Sequence, residues 1–162
     1  MTSMTGSQAL VQRYWPAREQ AGMGQGALRA LALIAFGSLF LAVMAQVKVP
    51  MWPVPITFQT FAVLLLGLTY GARLGTATIL AHVAQGAAGL PVFAGGAGGI
   101  VVLMGPTGGY IAGFVLAVML TGWLADRGWS RRILPAVTAL VIGNLAIYAL
   151  GAGYLNSAFI GD

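Results

Sequence analysis

Apolar residues collect in five long runs, separated by short segments rich in glycine, proline or arginine. The runs cover residues 28–47, 56–70, 74–90, 109–125 and 133–150. An α-helix rises about 1.5 Å per residue, so a run of about 20 apolar residues crosses the ~30 Å hydrocarbon core of a bilayer. The second run reaches only about 22 Å as a helix, so it depends on a thinned bilayer or on the extended segment before it. The pattern predicts five membrane-spanning helices.

Composition indicates an all-α, multi-pass membrane protein. Of the 162 residues, 59% are apolar and 7% are charged, and the mean hydropathy is +0.88, whereas soluble domains carry about 25% charged residues. The net charge is +5, but the basic residues fall between the runs, which indicates membrane topology rather than nucleic-acid binding. Residues 1–26 are polar and predict a mobile cytoplasmic N-terminal arm, followed by a single transmembrane substrate-binding domain over 27–162.

The basic residues predict the orientation of the chain. Lys48 lies on one side of the predicted bundle, and seven arginines lie at the other: Arg13, Arg18, Arg29, Arg73, Arg127, Arg131 and Arg132. Because short cytoplasmic segments are enriched in Lys and Arg, the N-terminus is expected in the cytoplasm. Segments 49–55 and 91–110 then both face outward, as the binding site of an uptake protein requires.

Those two segments have compositions that favour binding loops. Residues 49–55, VPMWPVP, hold three prolines, which remove backbone donors and restrict their neighbours. Residues 91–110, PVFAGGAGGIVVLMGPTGGY, hold seven glycines, which let the backbone approach a ligand closely. Non-helical backbone at membrane depth is tolerated where it is buried in protein or lines a cavity. A flexible connector is the alternative, but the apolar IVVLM insert favours a binding loop.

The residue inventory disfavours an enzyme. The chain has no cysteine and one histidine, too few ligands for a catalytic metal, and it lacks the Gly-x-x-x-x-Gly-Lys-Ser/Thr loop of an ATPase. Glu19, Asp126 and Asp162 lie outside the runs, whereas ion-coupled carriers usually place ionisable groups within the membrane. We expect neither catalysis nor a resident cofactor.

Polar residues inside the runs either contact a ligand or form hydrogen bonds within the protein. His82 and Gln85 share a helical face, where a hydrogen bond between helices is favoured over a ligand contact. For Asn144 and Tyr148 the two roles are about equally supported. Gln59 follows the proline segment on the outer side, and its amide offers both a donor and an acceptor. The Gln59 side chain either forms hydrogen bonds with a neutral polar ligand or caps and links the connector.

Three motifs make the chain resemble the BioY family: PVPITFQT (53–60), GLPVFAGGAGG (89–99) and GPTGGYIAGF (105–114). These proteins are the biotin-specific substrate-binding (S) components of energy-coupling-factor (ECF) vitamin transporters. The resemblance implies a helical bundle of the S-component type in the bacterial inner membrane, with biotin bound on its outer side. It also implies a transmembrane coupling protein and two ATP-hydrolysing subunits as partners. An S component for another vitamin, or a non-transporting scaffold or channel subunit, is the alternative.

The resemblance also indicates a ligand site. Gln59 matches the glutamine of the family's proline motif, and Tyr110 matches the tyrosine of Gly-Pro-Thr-x-Gly-Tyr. Ala97 stands where some relatives carry a side-chain amide, so a contact there comes from backbone or a bridging water. The full predicted set is Gln59, Phe93, Gly95, Gly96, Ala97, Gly98, Tyr110 and Asn144, with Trp52 as a further apolar wall and Lys48 as the nearby cation.

One implied element has no counterpart in the sequence. The family's sixth helix opens with a Gly-Asp-x-x-Lys-like motif that helps to hold biotin, but Gly161-Asp162 follows the fifth run too closely to match it. We therefore expect five spans without the sixth helix, and weaker biotin binding than in a six-helix parent.

Overall fold

The computed structural model describes residues 10–11 and 23–161, and most of the predicted N-terminal arm, 1–26, lies outside them. The long helices are α1 (Met23–Gln46), α2 (Gln59–Ala87), α4 (Gly108–Asp126) and α5 (Ile133–Leu155). Shorter elements connect or extend them: β1 (Lys48–Val49), β2 (Ile56–Thr57), a 3₁₀ turn (Ala94–Gly96), the short helix α3 (Ile100–Met104), a second 3₁₀ turn (Trp129–Arg131) and a π-helical turn (Asn156–Ile160).

The predicted all-α, multi-pass architecture is confirmed. Among the described residues, four helices are long and apolar enough to cross a membrane. Three of them match the first, fourth and fifth predicted spans. The remaining one, α2, contains both the second and the third predicted spans, because the chain between them reverses at a single residue.

Gly71 folds α2 back on itself. Its φ of 79° and ψ of 177° interrupt the helix, and a positive φ is the backbone region that favours glycine. The two arms, 59–70 and 72–87, then lie side by side, since a hydrogen bond of 3.0 Å joins Gln59 to His82. In a straight helix these residues would lie roughly 35 Å apart. The turn predicted at Gly71-Ala72-Arg73 is therefore present, and with the two arms counted separately the described residues form five helical segments that correspond to the five predicted spans.

Asp126, at the end of α4, holds this reversal in place. The backbone N–H of Ala72 donates a 3.0 Å hydrogen bond to the Asp126 carboxylate. The first N–H groups of a helix lack intrahelical partners and favour a negative charge, so the carboxylate satisfies the start of the second arm. Arg73 and the basic segment after α4 lie at this same end of the bundle.

The proline segment forms an extended connector, as predicted. β1 and β2 pair antiparallel at its ends, with Lys48 opposite Thr57 and Val49 opposite Ile56. The predicted second span began at Ile56, but α2 begins three residues later, at Gln59. Ile56 and Thr57 are drawn out of the helix because their backbone pairs with β1. The connector thereby carries the chain directly to the start of α2.

Replacing Gly122 by alanine is expected to lower the free energy of unfolding by about 1 to 3 kcal/mol, because a Cβ there overpacks the bundle. This Cβ would lie 2.6 Å from the backbone Cα of Ala72, which has no rotamer to move aside. Gly153→Ala is the matched control, since a Cβ there meets no described atom within 4 Å. Thermal unfolding in detergent should show a lower Tm for Gly122→Ala only. Equal Tm values would contradict this packing.

Candidate ligand-binding site

A cavity of about 210 Å³ lies at the end of the bundle opposite the Gly71 reversal. The proline connector, the glycine-rich loop, the starts of α2 and α4 and the last part of α5 all contribute to its wall. No charged side chain among the described residues lines the cavity. The lining residues are Val54, Pro55, Ile56, Thr57, Gln59, Thr60, Phe93, Ala94, Ala97, Val102, Thr107, Tyr110, Ile111, Phe114 and Tyr148. An apolar wall with a few polar groups is typical of a small-molecule site.

The glycine-rich loop is fastened to the helices around it. The Gln46 side chain at the end of α1 donates a 3.1 Å hydrogen bond to the Phe93 carbonyl. The Gly99 N–H donates to the Gly86 carbonyl at 2.7 Å. Within the loop, the Phe93 N–H donates to the Ala97 carbonyl at 3.0 Å. These hydrogen bonds favour an ordered binding loop over a flexible connector.

Two aromatic walls of the cavity each rest on a glycine of a neighbouring helix. The Phe93 ring, only 3% exposed, lies against Gly86 of α2, where an added Cβ would collide with it. The Tyr110 ring lies against Gly151 of α5 in the same manner. Tyr110 also makes an edge-to-face contact with Tyr148, at 6.0 Å between ring centroids. The two glycines thus leave the space in which the aromatic rings are seated.

A buried chain of polar side chains runs from the cavity wall into the bundle. Gln59 Nε2 lies 3.0 Å from His82 Nε2, and His82 Nδ1 lies 3.3 Å from Ser38 Oγ. The Ser38 hydroxyl donates in turn to Gln85 Oε1 at 2.7 Å. The predicted hydrogen bond between helices at His82 and Gln85 is therefore present, with Ser38 of α1 as the partner. The chain also reaches Gln59, which lines the cavity.

The structure brings only part of the predicted site together in the cavity wall. Gln59, Phe93, Ala97 and Tyr110 line it. Three further predicted residues lie in the adjacent loop and are absent from the wall: Gly95, Gly96 and Gly98. Gly95 and Gly96 have φ angles of 73° and 72°, so their role is to shape the turn. Gly98 packs against the Leu90 carbonyl.

Asn144 and Trp52 lie outside the cavity. Asn144 lines a separate groove of about 540 Å³ between the first arm of α2 and α5. Trp52 is 92% exposed at the tip of the connector, so it provides no apolar wall. Asn144 and Tyr148 lie four residues apart on one face of α5 and both line this groove, but only Tyr148, one turn further along, also reaches the cavity.

Several lining residues carried no signal in the sequence. Thr60 and Thr107 face the cavity beside the predicted Gln59 and Tyr110, and Tyr148, for which the sequence left a ligand role open, lines it as well. Gly86 and Gly151 would have been a clue only to the packing of Phe93 and Tyr110, since a small residue on a helix marks the place where a large side chain from elsewhere packs closely. The sequence does not reveal which side chain that is.

The fold and the cavity together define a multi-pass helical membrane protein with a small-molecule site at one end of its bundle. The chain belongs to the BioY family, whose model matches residues 14–160. This confirms the resemblance found in the sequence. It also confirms that the chain is not an enzyme, since the relatives are transporters and transporter components.

Individual relatives are similar over most of their length. The probable biotin transporter BioY of Pyrococcus horikoshii is 41% identical over 136 residues, which cover 80% of this chain and 80% of the relative. The biotin transporter BioY of Thermotoga maritima is 39% identical over 131 residues, covering 80% and 75%. A crystal structure of the S-component for biotin from an ECF-type ABC transporter superimposes with a TM-score of 0.73 at 25% identity, covering 85% of this chain and 77% of that one.

Proposed function

We propose that this protein is the biotin-binding subunit of an ECF-type transporter and that biotin occupies the cavity at the end of the bundle. One observation carries the proposal. The motifs at 53–60, 89–99 and 105–114, which are far apart in the sequence, supply every lining residue of this cavity except Val102 and Tyr148. Relatives that are 41% and 39% identical to this chain over the aligned residues are named a probable biotin transporter and a biotin transporter.

The chemistry of the wall suits the parts of biotin. The apolar thioether ring fits between the aromatic rings of Phe93, Tyr110 and Tyr148. The ureido group requires both hydrogen-bond donors and acceptors, and the amide of Gln59 and the hydroxyls of Thr60 and Thr107 offer these. Biotin is then the cargo of the protein, with no resident cofactor in its binding.

The cavity end of the bundle is proposed to face outward across the bacterial inner membrane, with the N-terminus in the cytoplasm. The basis is the charge distribution: Arg73, Arg127, Arg131 and Arg132 lie at the opposite end, together with the Gly71 reversal, and basic segments favour the cytoplasmic side.

Energised uptake is proposed to depend on partner subunits. The absence of a phosphate-binding loop from the 162 residues supports a separate ATP-hydrolysing subunit. The partners we propose are a transmembrane coupling protein and ATP-binding subunits, which complete an ECF module.

Calorimetric titration of the detergent-solubilised full chain with biotin, thiamine and riboflavin tests the proposed ligand. We expect biotin to bind at least about 100-fold more tightly than the other two vitamins, a difference of roughly 2.7 kcal/mol. Gln59→Ala should weaken biotin binding by about tenfold, because it leaves a polar group of the ligand unpaired. A preference for thiamine or riboflavin would identify an S component for another vitamin. Binding of none of the three would contradict the proposal.

Lys48 is the residue we propose for the carboxylate of the ligand. It lies on β1 and lines the groove that adjoins the cavity, and the two share Ile56, Thr57, Thr60 and Tyr148. Its ammonium group lies against the glycine-rich loop, since an ideal Cβ on Gly95 would be 2.5 Å from Lys48 Nζ. A ligand seated in the cavity with its carboxylate towards the groove would place that charge near Lys48.

Lys48→Gln is expected to weaken biotin binding by about tenfold, which corresponds to a charge-assisted hydrogen bond of roughly 1.5 kcal/mol. Binding of biotinamide, which has no carboxylate, should change little. Lys48→Arg keeps the charge and is the matched control. The measurement is the dissociation constant of biotinamide divided by that of biotin, determined for each variant. An equal loss for biotin and biotinamide would show that Lys48 acts through the loop and not on the carboxylate.

A further inference from the structure

The buried chain of polar side chains has a fixed direction of hydrogen bonding. Ser38 donates its hydroxyl proton to Gln85 Oε1 at 2.7 Å. A hydroxyl carries one proton, so Ser38 Oγ can only accept from its other neighbour, His82 Nδ1, at 3.3 Å. The proton of the neutral imidazole therefore lies on Nδ1.

This tautomer determines the orientation of the Gln59 amide. A neutral imidazole with its proton on Nδ1 presents Nε2 as an acceptor. The group that faces this acceptor at 3.0 Å is the amide nitrogen of Gln59, which is a donor. The two amides and the hydroxyl thus agree on one direction of donation, from Gln59 through His82 and Ser38 to Gln85.

The other end of the Gln59 amide remains available to a ligand. Gln59 is 4% exposed and lines the cavity. Its carbonyl oxygen, Oε1, makes no hydrogen bond with any other described residue. This oxygen is not fully buried, so it keeps some accessible surface. An acceptor that is open to the cavity selects a ligand with a donor opposite it.

We propose that His82 is a positioning residue: it holds Gln59 so that Oε1, and not the amide nitrogen, faces the cavity, and it thereby selects a ligand that carries an N–H group. This inference rests on the proposed function, in which that group is one of the two ureido N–H groups of biotin. His82 itself contacts no ligand. It acts through Gln59.

Packing keeps the imidazole in this role. Phe93 of the glycine-rich loop meets the ring edge to face, with 5.8 Å between the ring centroids and an interplanar angle of 80°. His82 is 2% exposed, so the side chains around it, Ser38 and Gln59 among them, enclose its ring. The same loop that lines the cavity therefore supports the residue that orients its acceptor.

Two carbamate analogues of biotin test the proposal, each with an oxygen in place of one ureido N–H. The replacement keeps the shape of the ligand and turns a donor into an acceptor. In the wild type, one of the two analogues is expected to bind at least about tenfold more weakly than biotin, because two acceptors then face each other. The penalty to be measured is the dissociation constant of that analogue divided by the dissociation constant of biotin.

His82→Leu should reduce this penalty to less than about threefold, because the Gln59 amide is then free to turn its nitrogen to the analogue. Ser38→Ala should also reduce it, since the imidazole loses the group that fixes its tautomer. His82→Gln should retain most of the penalty, because a glutamine carbonyl can replace Nε2 as the acceptor.

Thr78→Val is the matched control. Thr78 is 0% exposed in the same arm of α2, and its hydroxyl bonds only to the Leu74 carbonyl among the described residues. A loss of stability without a change in penalty is expected there. An unchanged penalty in His82→Leu, or in Ser38→Ala if the leucine variant does not fold, would overturn the positioning role while biotin binding stands. A wild-type protein that does not bind biotin would overturn the proposed function, and this inference with it.

Discussion

The hydrogen bonds around His82 join three helical segments, α1 and the two arms of α2, and one of their members lines the cavity. Ser38 belongs to α1, Gln59 to the first arm of α2, and His82 and Gln85 to the second arm. Polar groups buried in an apolar bundle are costly unless each finds a partner. The segments are therefore held in one register, and a shift of any of them would leave an amide or an imidazole unpaired. Because Gln59 is a member of this chain, the interaction that aligns the helices also places a polar group on the cavity wall.

Glycines decide where the remaining parts of the site can lie. Gly71 allows α2 to reverse, and this brings the residues of the two arms within hydrogen-bonding distance of each other. Gly86 and Gly151 leave space for the rings of Phe93 and Tyr110. The structure thus uses glycine for two different purposes, a backbone conformation in one place and close packing in the others. Gly71, Gly86 and Gly151 all lie outside the glycine-rich loop of residues 91–110.

Local patterns in the sequence were sufficient for the helices and for the general location of the site. The apolar runs predicted five segments, and the turn after Tyr70 was recognised from Gly71. Pairing between β1 and β2, and with it the later start of α2, could not be predicted, because it depends on contacts across the connector. The outward position of Trp52 and the placement of Asn144 in the groove depend on how the elements turn in space. Periodicity alone does not determine that.

Cross-linking with a biotin derivative that carries a photoreactive diazirine on its side chain tests the central claim, that biotin binds at the end of the bundle where the three motifs meet. After illumination of the full chain in membranes, mass spectrometry identifies the labelled peptides. Labelling is expected within residues 48–60, 93–97 and 107–114, and free biotin should abolish it. Labelling that is centred on residues 127–132 at the opposite end, or that free biotin does not reduce, would contradict the account.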